Sequence, residues 1–265
     1  MTPRPDPITS LANPRVKAAR ALHMRKAREQ TGQFLAEGLK IVIEALEHGR
    51  TPLVLFYGRE GSDHPLLRRS LAATADGGGQ AFEVSRDVLE KISRRDNPQT
   101  VVAVFEQKFT ALDALDPGAA NCFVALEQIR DPGNLGTIVR TGDAAGCGGI
   151  ILIGDTVDPF SVEAVRATMG SIFAVPICRA TREAFLQWRE RWPGSVVGTL
   201  LSATAGYRDA AYRSPVLLVM GTEQSGLSNE VAGACDLNVK IPMRGRADSL
   251  NLAVATAIMI YAITG

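Results

Sequence analysis

The sequence predicts an α/β protein of two units, the second of them built around a parallel sheet, and two observations carry this. Short apolar runs alternate with helix-period segments along nearly the whole chain, which is the signature of α/β architecture. In the second half those runs are apolar throughout rather than alternating with polar residues, as in parallel strands covered on both faces. At 265 residues, the chain can form two domains that each bury a core.

Taken in order, Asn13-Pro14 reads as an N-cap followed by proline at the first helical position, and Gly32 as a stop, which predicts one basic helix. "QFLAEGLKIVIEALEHG" predicts a short strand and a helix ending at Gly49, and "PLVLFYG" a buried strand around Leu53 to Tyr57. "FEVSRDVLEKIS" and "TVVAVFE" repeat the alternation. Between Phe109 and Ala120 the stretch "FTALDALDPGAA" loses periodicity and contains Pro117-Gly118. Residues 1–108 and 121–265 are therefore expected as domains joined by a linker, 109–120. In the second, "CFVALE", "GIILIG", "AVPIC", "VVGTLL", "VLLVMG" and "LNVKIP" predict strands, and "SLNLAVATAIMIYAIT" a last apolar helix.

Composition narrows the function classes. Hydrophobic residues at 46% and charged residues at 22% exclude a disordered chain. A net charge of +1 excludes a uniformly basic nucleic-acid binder and leaves room for a local patch. One exists: Arg15, Lys17, Arg20, Arg25, Lys26 and Arg28 have no acid among them, and form either a solvated helix face or a surface for RNA phosphates. The four cysteines form no CxxC or Cys/His cluster, and His23, His48 and His64 have no metal-ligand spacing, so no metal is expected. The opening "MTPRPDPITS" lacks an apolar signal-peptide core, and no apolar run approaches the roughly 20 residues of a membrane span. A cytoplasmic protein is expected.

Several enzyme classes fail on residue order. The glycine cluster "GCGGIILIG" precedes a strand, whereas a dinucleotide fingerprint must follow one and open a helix. Gly146, Gly148 and Gly149 are better explained as a helix stop and turn. There is no GxxxxGK[ST] phosphate loop and no GxSxG nucleophile elbow. Any chemistry here runs without a metal or an imidazole base.

Three ordered stretches are informative together. "NLGTIVRTGDAAG" (Asn134 to Gly146), "MGTEQSGLS" (Met220 to Ser228) and "IPMRGRADSLNLAVA" (Ile241 to Ala255) resemble the three motifs of the SpoU (TrmH-type) family of RNA 2′-O-ribose methyltransferases, within the SPOUT superfamily. The resemblance spans roughly Ala120 to Gly265. The first unit is similar, more weakly, to the family's L30e-like substrate-binding domain, with "FLAEGLKIVIEAL" as its most recognisable phrase.

The resemblance implies a knotted fold, a deep trefoil that periodicity alone would never suggest. It implies S-adenosylmethionine as cofactor, a homodimer with the active site formed across its interface, and a structured RNA substrate, rRNA before tRNA. Asn134, Arg140, Glu223 and Asn251 are the catalytic candidates. Leu200, Gly221, Glu223, Gly226, Ile241, Met243 and Leu250 are the cofactor-binding candidates, with the apolar ones walling an adenine slot and the glycines admitting a ligand to the backbone. Arg244 and Arg246 are candidates for RNA phosphates or for a solvated rim.

The implied reaction is attack of a ribose 2′-hydroxyl on a sulfonium methyl. Its thioether leaving group needs no acid, so catalysis rests on positioning and on help with the proton. Arginine is effectively always protonated, so Arg140 is described more safely as stabilising an alkoxide or a phosphate than as a base. Ala253 stands where many family members have serine. That leaves an alternative open, a non-catalytic RNA-binding or ribosome-assembly module that keeps the fold.

Overall fold

The structure, a computed structural model, describes residues 6–60, 64–222 and 225–265. It divides into two compact units, 1–107 with 160–173, and 108–159 with 174–265.

The first unit runs α1 (Pro14–Ala21), α2 (Arg25–Thr31), β1 (Gln33–Glu37), α3 (Leu39–Glu47), β2 (Val54–Gly58), α4 (Pro65–Asp76), β3 (Gln80–Val84), α5 (Arg86–Ser93) and β4 (Val101–Glu106). Its four strands lie in the order β1-β4-β2-β3, with β2 and β3 parallel and the other pairs antiparallel. One face packs Leu35, Phe56, Val102 and Val104 against Val16 and Ala19 of α1 and Val88 and Ile92 of α5.

The single basic helix expected before Gly32 is two helices. Asn13 does cap the first, accepting from the Arg15 amide, and Gly32 ends the second at φ +65°. Between them Leu22 is drawn into the core, which turns the chain. Arg28 holds that turn, with Nη1 donating to the carbonyls of Leu22 (2.8 Å) and His23 (3.0 Å), just past the end of α1. Arg28, offered above as an RNA contact, is only 4% exposed and does this structural work instead.

The sequence boundary also missed that Phe160–Phe173 belongs with the first unit. This segment contains α7 (Val162–Thr168) and is held there by rings and by a buried charge. Phe160 packs on Phe34 with centroids 4.8 Å apart, and Phe173 on Phe105 at 4.8 Å. Arg166 donates through Nε (2.8 Å) and Nη2 (2.5 Å) to Oε2 of Glu37, itself 3% exposed in its side chain, and through Nη2 to the Ser93 carbonyl (2.9 Å). No local periodicity advertises such an excursion.

The second unit comprises β5 (Cys122–Glu127), α6 (Pro132–Ala144), β6 (Ile150–Ile153), β7 (Ile177–Ala180), α8 (Arg182–Arg189), β8 (Val196–Thr199), β9 (Ala205–Gly206), β10 (Val216–Met220), α9 (Asn229–Gly233), β11 (Leu237–Lys240) and α10 (Leu252–Thr264). All six strands read from its sequence are present, and the two-residue β9 was missed. The sheet order is β7-β6-β5-β10-β8-β11-β9, and every pairing in it is parallel. Phe123, Ala125, Ile151, Ile153, Leu217 and Val219 join Phe185 and Trp188 of α8 in one core. The alternate residues face the side where α6 and α10 pack.

The glycines after α6 serve the turn, as expected: Gly146 sits at φ +68°, and a β-carbon on Gly148 would fall 2.2 Å from the Phe123 ring. All four cysteines are free thiols, and burial pushes Cys178 and Cys235 up to about 12. No helix among the described residues is long and apolar enough to cross a membrane, and no group of side chains among them could hold a metal ion.

His23, just past α1, donates from Nε2 to the Ile92 carbonyl at 2.6 Å. Burial holds its imidazole below the ordinary value of 6.5, against the raising effect of that bond; Arg94 and Arg166 also lower it and Glu163 opposes them. The unfolded chain therefore takes up this proton more readily than the folded one. The His23 contribution is complete above pH 6.5 and is lost as the pH falls through the lowered value. Urea unfolding of the whole chain between about pH 8 and 5 should show part of the acid loss of stability removed by His23→Gln; an unchanged pH slope would assign that loss to other groups.

Candidate functional site

Parallel pairing sets where a site can form. β5, β8, β10 and β11 all end at one edge of the sheet, and crevices outside the carboxyl ends of such strands are where α/β sheets bind ligands. The loops after β8, β10 and β11 enclose a cavity of about 300 Å³ there, at the small end of the roughly 300–1,000 Å³ of ligand sites. Leu200, Gly221, Gly226, Ile241, Met243 and Leu250, expected above to hold a cofactor, line it together. Glu223 lies outside the described residues. The sequence reading missed the apolar walls Met220 and Leu252 and the hydroxyls of Thr199, Ser202, Ser225 and Ser249.

Two described residues of the loop after β10, Thr222 and Gly226, are held together. The Thr222 and Gly226 amides donate to each other's carbonyls at 3.1 and 3.0 Å, and Gly226 adopts φ +64°. A β-carbon on Gly221 would fall 2.0 Å from the Gly226 carbonyl carbon. Gly221 is thus required first by the loop's own backbone, and only through that closure does it shape the cavity wall.

The third motif meets the first at two asparagines. Asn251 caps α10, its Oδ1 accepting from the amides of Ala253 (3.0 Å) and Val254 (3.3 Å), while its Nδ2 donates to Oδ1 of Asn134 at 2.9 Å. Asn134 lies in the first turn of α6, where the Asp131 cap accepts from its amide at 2.6 Å. Asn134 also lines a second cavity, of about 320 Å³, with Gln128, Arg130 and Asp131. Thr222, Ser225 and Leu252 belong to both cavities, so an apolar chamber and a polar one share a wall.

Arg140 and Asn134 lie on different faces of α6. Six helical residues rotate Arg140 about 240° around the helix. It is exposed and lines neither cavity.

A residue that sequence reasoning missed ties these loops together. Glu127, the last residue of β5 and 3% exposed, accepts from the Ser228 amide (2.8 Å), the Ser228 hydroxyl (2.8 Å) and Arg182 Nε (3.0 Å). It anchors the exit of the β10 loop to the strand that leads into α6. The signal was present in "CFVALE", where a carboxylate closes an otherwise apolar strand.

Among the basic candidates, Arg15, Lys17, Arg20 and Lys26 are exposed on α1 and α2, and Arg15 lies 5.0 Å over the Phe82 ring. Arg25 is exposed and pairs with Glu29 at 2.8 Å. Arg244 and Arg246 are exposed on the loop after β11.

Residues 121–261 match the SpoU rRNA Methylase family, and residues 13–103 an MRM3-like substrate binding domain. The chain belongs to the SpoU rRNA methylase family. It is 30% identical to the 23S rRNA (guanosine(2553)-2′-O)-methyltransferase RlmP of Bacillus subtilis over 97% of this chain and 99% of that one. It is 32% identical to the 23S rRNA (uridine(2479)-2′-O)-methyltransferase of Streptomyces viridochromogenes over 89% of this chain and 84% of the other. A crystal structure of an AdoMet-bound rRNA methyltransferase from Sinorhizobium meliloti superposes with a TM-score of 0.91, at 49% identity, covering 97% of both chains. Within the SpoU family frame, the three motifs are the three segments that meet at the paired cavities.

Removing the Glu127 carboxylate takes the acceptor from the Ser228 amide and hydroxyl and leaves Arg182 only the longer contact to Glu230, at 3.8 Å. Glu127→Ala should cost about 3 kcal/mol in chemical unfolding, the lower end for breaking a buried ion pair because Arg182 is partly exposed, and should weaken cofactor binding. Stability and binding both at wild-type level would show that Ser228 is positioned by something else.

Proposed function

We propose that the chain transfers a methyl group from S-adenosylmethionine to a ribose 2′-hydroxyl of ribosomal RNA, as a cytoplasmic homodimer. The observation that carries this reading is the Asn251–Asn134 bond, which fixes the polar chamber against the apolar one at a shared wall. The large-subunit rRNA specificity named for two relatives, and the bound AdoMet named for the Sinorhizobium meliloti structure, support it.

The apolar chamber suits the cofactor's adenosine. Leu200, Ile241, Met243 and Leu250 would wall the base, and Gly221 and Gly226, which carry no side chains, would offer it backbone groups. When bound, S-adenosylmethionine supplies an electrophilic methyl on a sulfonium, and its thioether leaving group needs no acid. The protein's own contribution is placement. Asn251 holds the Asn134 carboxamide in the wall of the polar chamber, and Leu252 and the hydroxyls of Thr222 and Ser225 bound the space through which the two reactants face each other. Holding reactants in line can supply several kcal/mol of a barrier, roughly 7–11 in the best intramolecular cases.

Arg140 enters this reading from a second subunit. α10 carries no charged residue from Leu252 to Thr264, yet Val254 is 49% and Tyr261 55% exposed, two turns apart on one face. An apolar helix face left open in this way marks an interface, and Arg140 is exposed on the neighbouring α6. The arginine of one subunit would stand at the polar chamber of the other, where a fixed positive charge stabilises the developing alkoxide or holds a phosphate. Arg15, Lys17, Arg20, Arg25, Lys26, Arg244 and Arg246 are assigned to RNA phosphates.

Labelled methyl from S-adenosylmethionine should appear on ribose in unmodified 23S rRNA, with Arg140→Ala at least about a hundredfold slower and its cofactor affinity unchanged. Full activity in that variant would remove Arg140 from the reaction. Gly221→Ala should instead lose cofactor binding, because the new methyl collides with Gly226. Coexpressed in equal amounts, the two inactive chains should recover about a quarter of wild-type activity, since half the dimers hold one complete site. No recovery would place Arg140 and the cofactor in the same subunit.

A further inference from the structure

We propose that Gln128 is a specificity-determining residue whose side-chain amide hydrogen-bonds the edge of a nucleobase at or next to the methylated nucleotide. This rests on the methyl-transfer reading above.

Three residues other than glycine have a positive φ among the described residues: Arg94 (55°), Gln128 (52°) and Met169 (53°). Arg94 and Met169 cap the carboxyl ends of α5 and α7, where a left-handed residue is an ordinary helix ending. Gln128 caps no helix. It is the first residue beyond β5, where a glycine would adopt the same backbone without strain.

The conformation is imposed from both sides. Glu127 is held by Ser228 and Arg182, the Gln128 amide donates to the Ile153 carbonyl at 3.1 Å, and buried Ile129 accepts from the Val157 amide at 2.8 Å. Strain of this kind persists where the surroundings over-determine it, and it collects at functional sites.

The side chain occupies the position that strain opens. Gln128 is half-buried and lines two cavities at once: the polar chamber with Asn134, and a cleft formed with Gly154, Asp155 and residues 179–183. Gly154, opposite, has no side chain to fill the gap; a β-carbon there would meet Gln128 Cγ at 3.8 Å. The side-chain carboxamide of Gln128 makes no hydrogen bond among the described residues, so nothing among them explains a glutamine at this place. A neutral amide presents a donor and an acceptor side by side, which matches the paired groups of a base edge. Sequence-specific readers of RNA address such edges on splayed, unpaired nucleotides.

The test uses the full-length enzyme, unmodified 23S rRNA transcribed in vitro, and transcripts in which the mapped target base or its neighbours are exchanged. Gln128→Gly relieves the backbone strain, so its melting temperature should match or exceed wild type and its calorimetric affinity for S-adenosylmethionine should be unchanged. Its kcat/KM on the natural transcript should fall about ten- to a hundredfold, and its preference over the exchanged transcripts should shrink by the same factor. Gln128→Glu, which keeps the shape and replaces the donor by an acceptor, should lose the same preference. Wild-type kcat/KM and preference in Gln128→Gly would overturn the proposal. So would a loss of cofactor affinity or melting temperature with the preference intact, which would make Gln128 a scaffold residue. A wild-type enzyme that transfers no methyl to the transcript would sink the reaction itself, an outcome visible before any variant is compared.

Discussion

The uniform direction of the seven-stranded sheet is the constraint on which the site depends. Because β5, β8, β10 and β11 all run one way, their four following loops are delivered to one edge, although they are spread over more than a hundred residues of chain. A parallel sheet leaves its strand ends as the place where backbone groups and side chains meet without ladder partners. The buried strands themselves carry no chemistry. Their task is to hold loop ends still, and two polar contacts complete that: Glu127 pins Ser228 at the exit of the β10 loop, and Asn251 pins Asn134 at the start of α6. Both link residues more than a hundred positions apart, which only a formed sheet can bring together.

The strands of the second unit were legible because parallel strands buried on both faces are written as unbroken apolar runs, as in "CFVALE" and "VLLVMG". The first helix cap was legible too: Asn13, before a proline, accepts from the Arg15 amide as its position implies. What could not be read depends on distance in sequence. The break between α1 and α2 follows from Leu22 entering the core, and Arg28 looked like a surface cation until its guanidinium had carbonyls to satisfy. The return of Phe160–Phe173 to the first unit rests on contacts with Phe34, Phe105 and Glu37, none of them within a hundred and twenty residues by number except Phe173 with Phe105.

The apolar cavity shows the same division. Leu200, Gly221, Gly226, Ile241, Met243 and Leu250 were assembled from a family pattern, and the structure gathers them around one cavity. The physical reason attached to Gly221 changed, however. The family resemblance suggested a backbone laid bare for a ligand, while the geometry shows a backbone laid bare for Gly226. A glycine in a motif reports that something approaches closely, without saying whether the visitor is a ligand or the loop itself.

Helical geometry makes the last step of the argument. Asn134 and Arg140 sit on one short helix in one motif, which invites the idea that they act on the same atom in the same chain. At about 100° per residue they cannot share a face, and the structure turns Asn134 into its own chamber and Arg140 outward. The helix packed against α6 is α10, which is capped by the asparagine that holds Asn134 and is apolar on its open side. One element therefore fixes the inward-facing residue and presents the surface on which a second copy could bring its outward-facing one. In the proposed homodimer each α6 would serve its own site at its start, through Asn134, and its neighbour's further along, through Arg140.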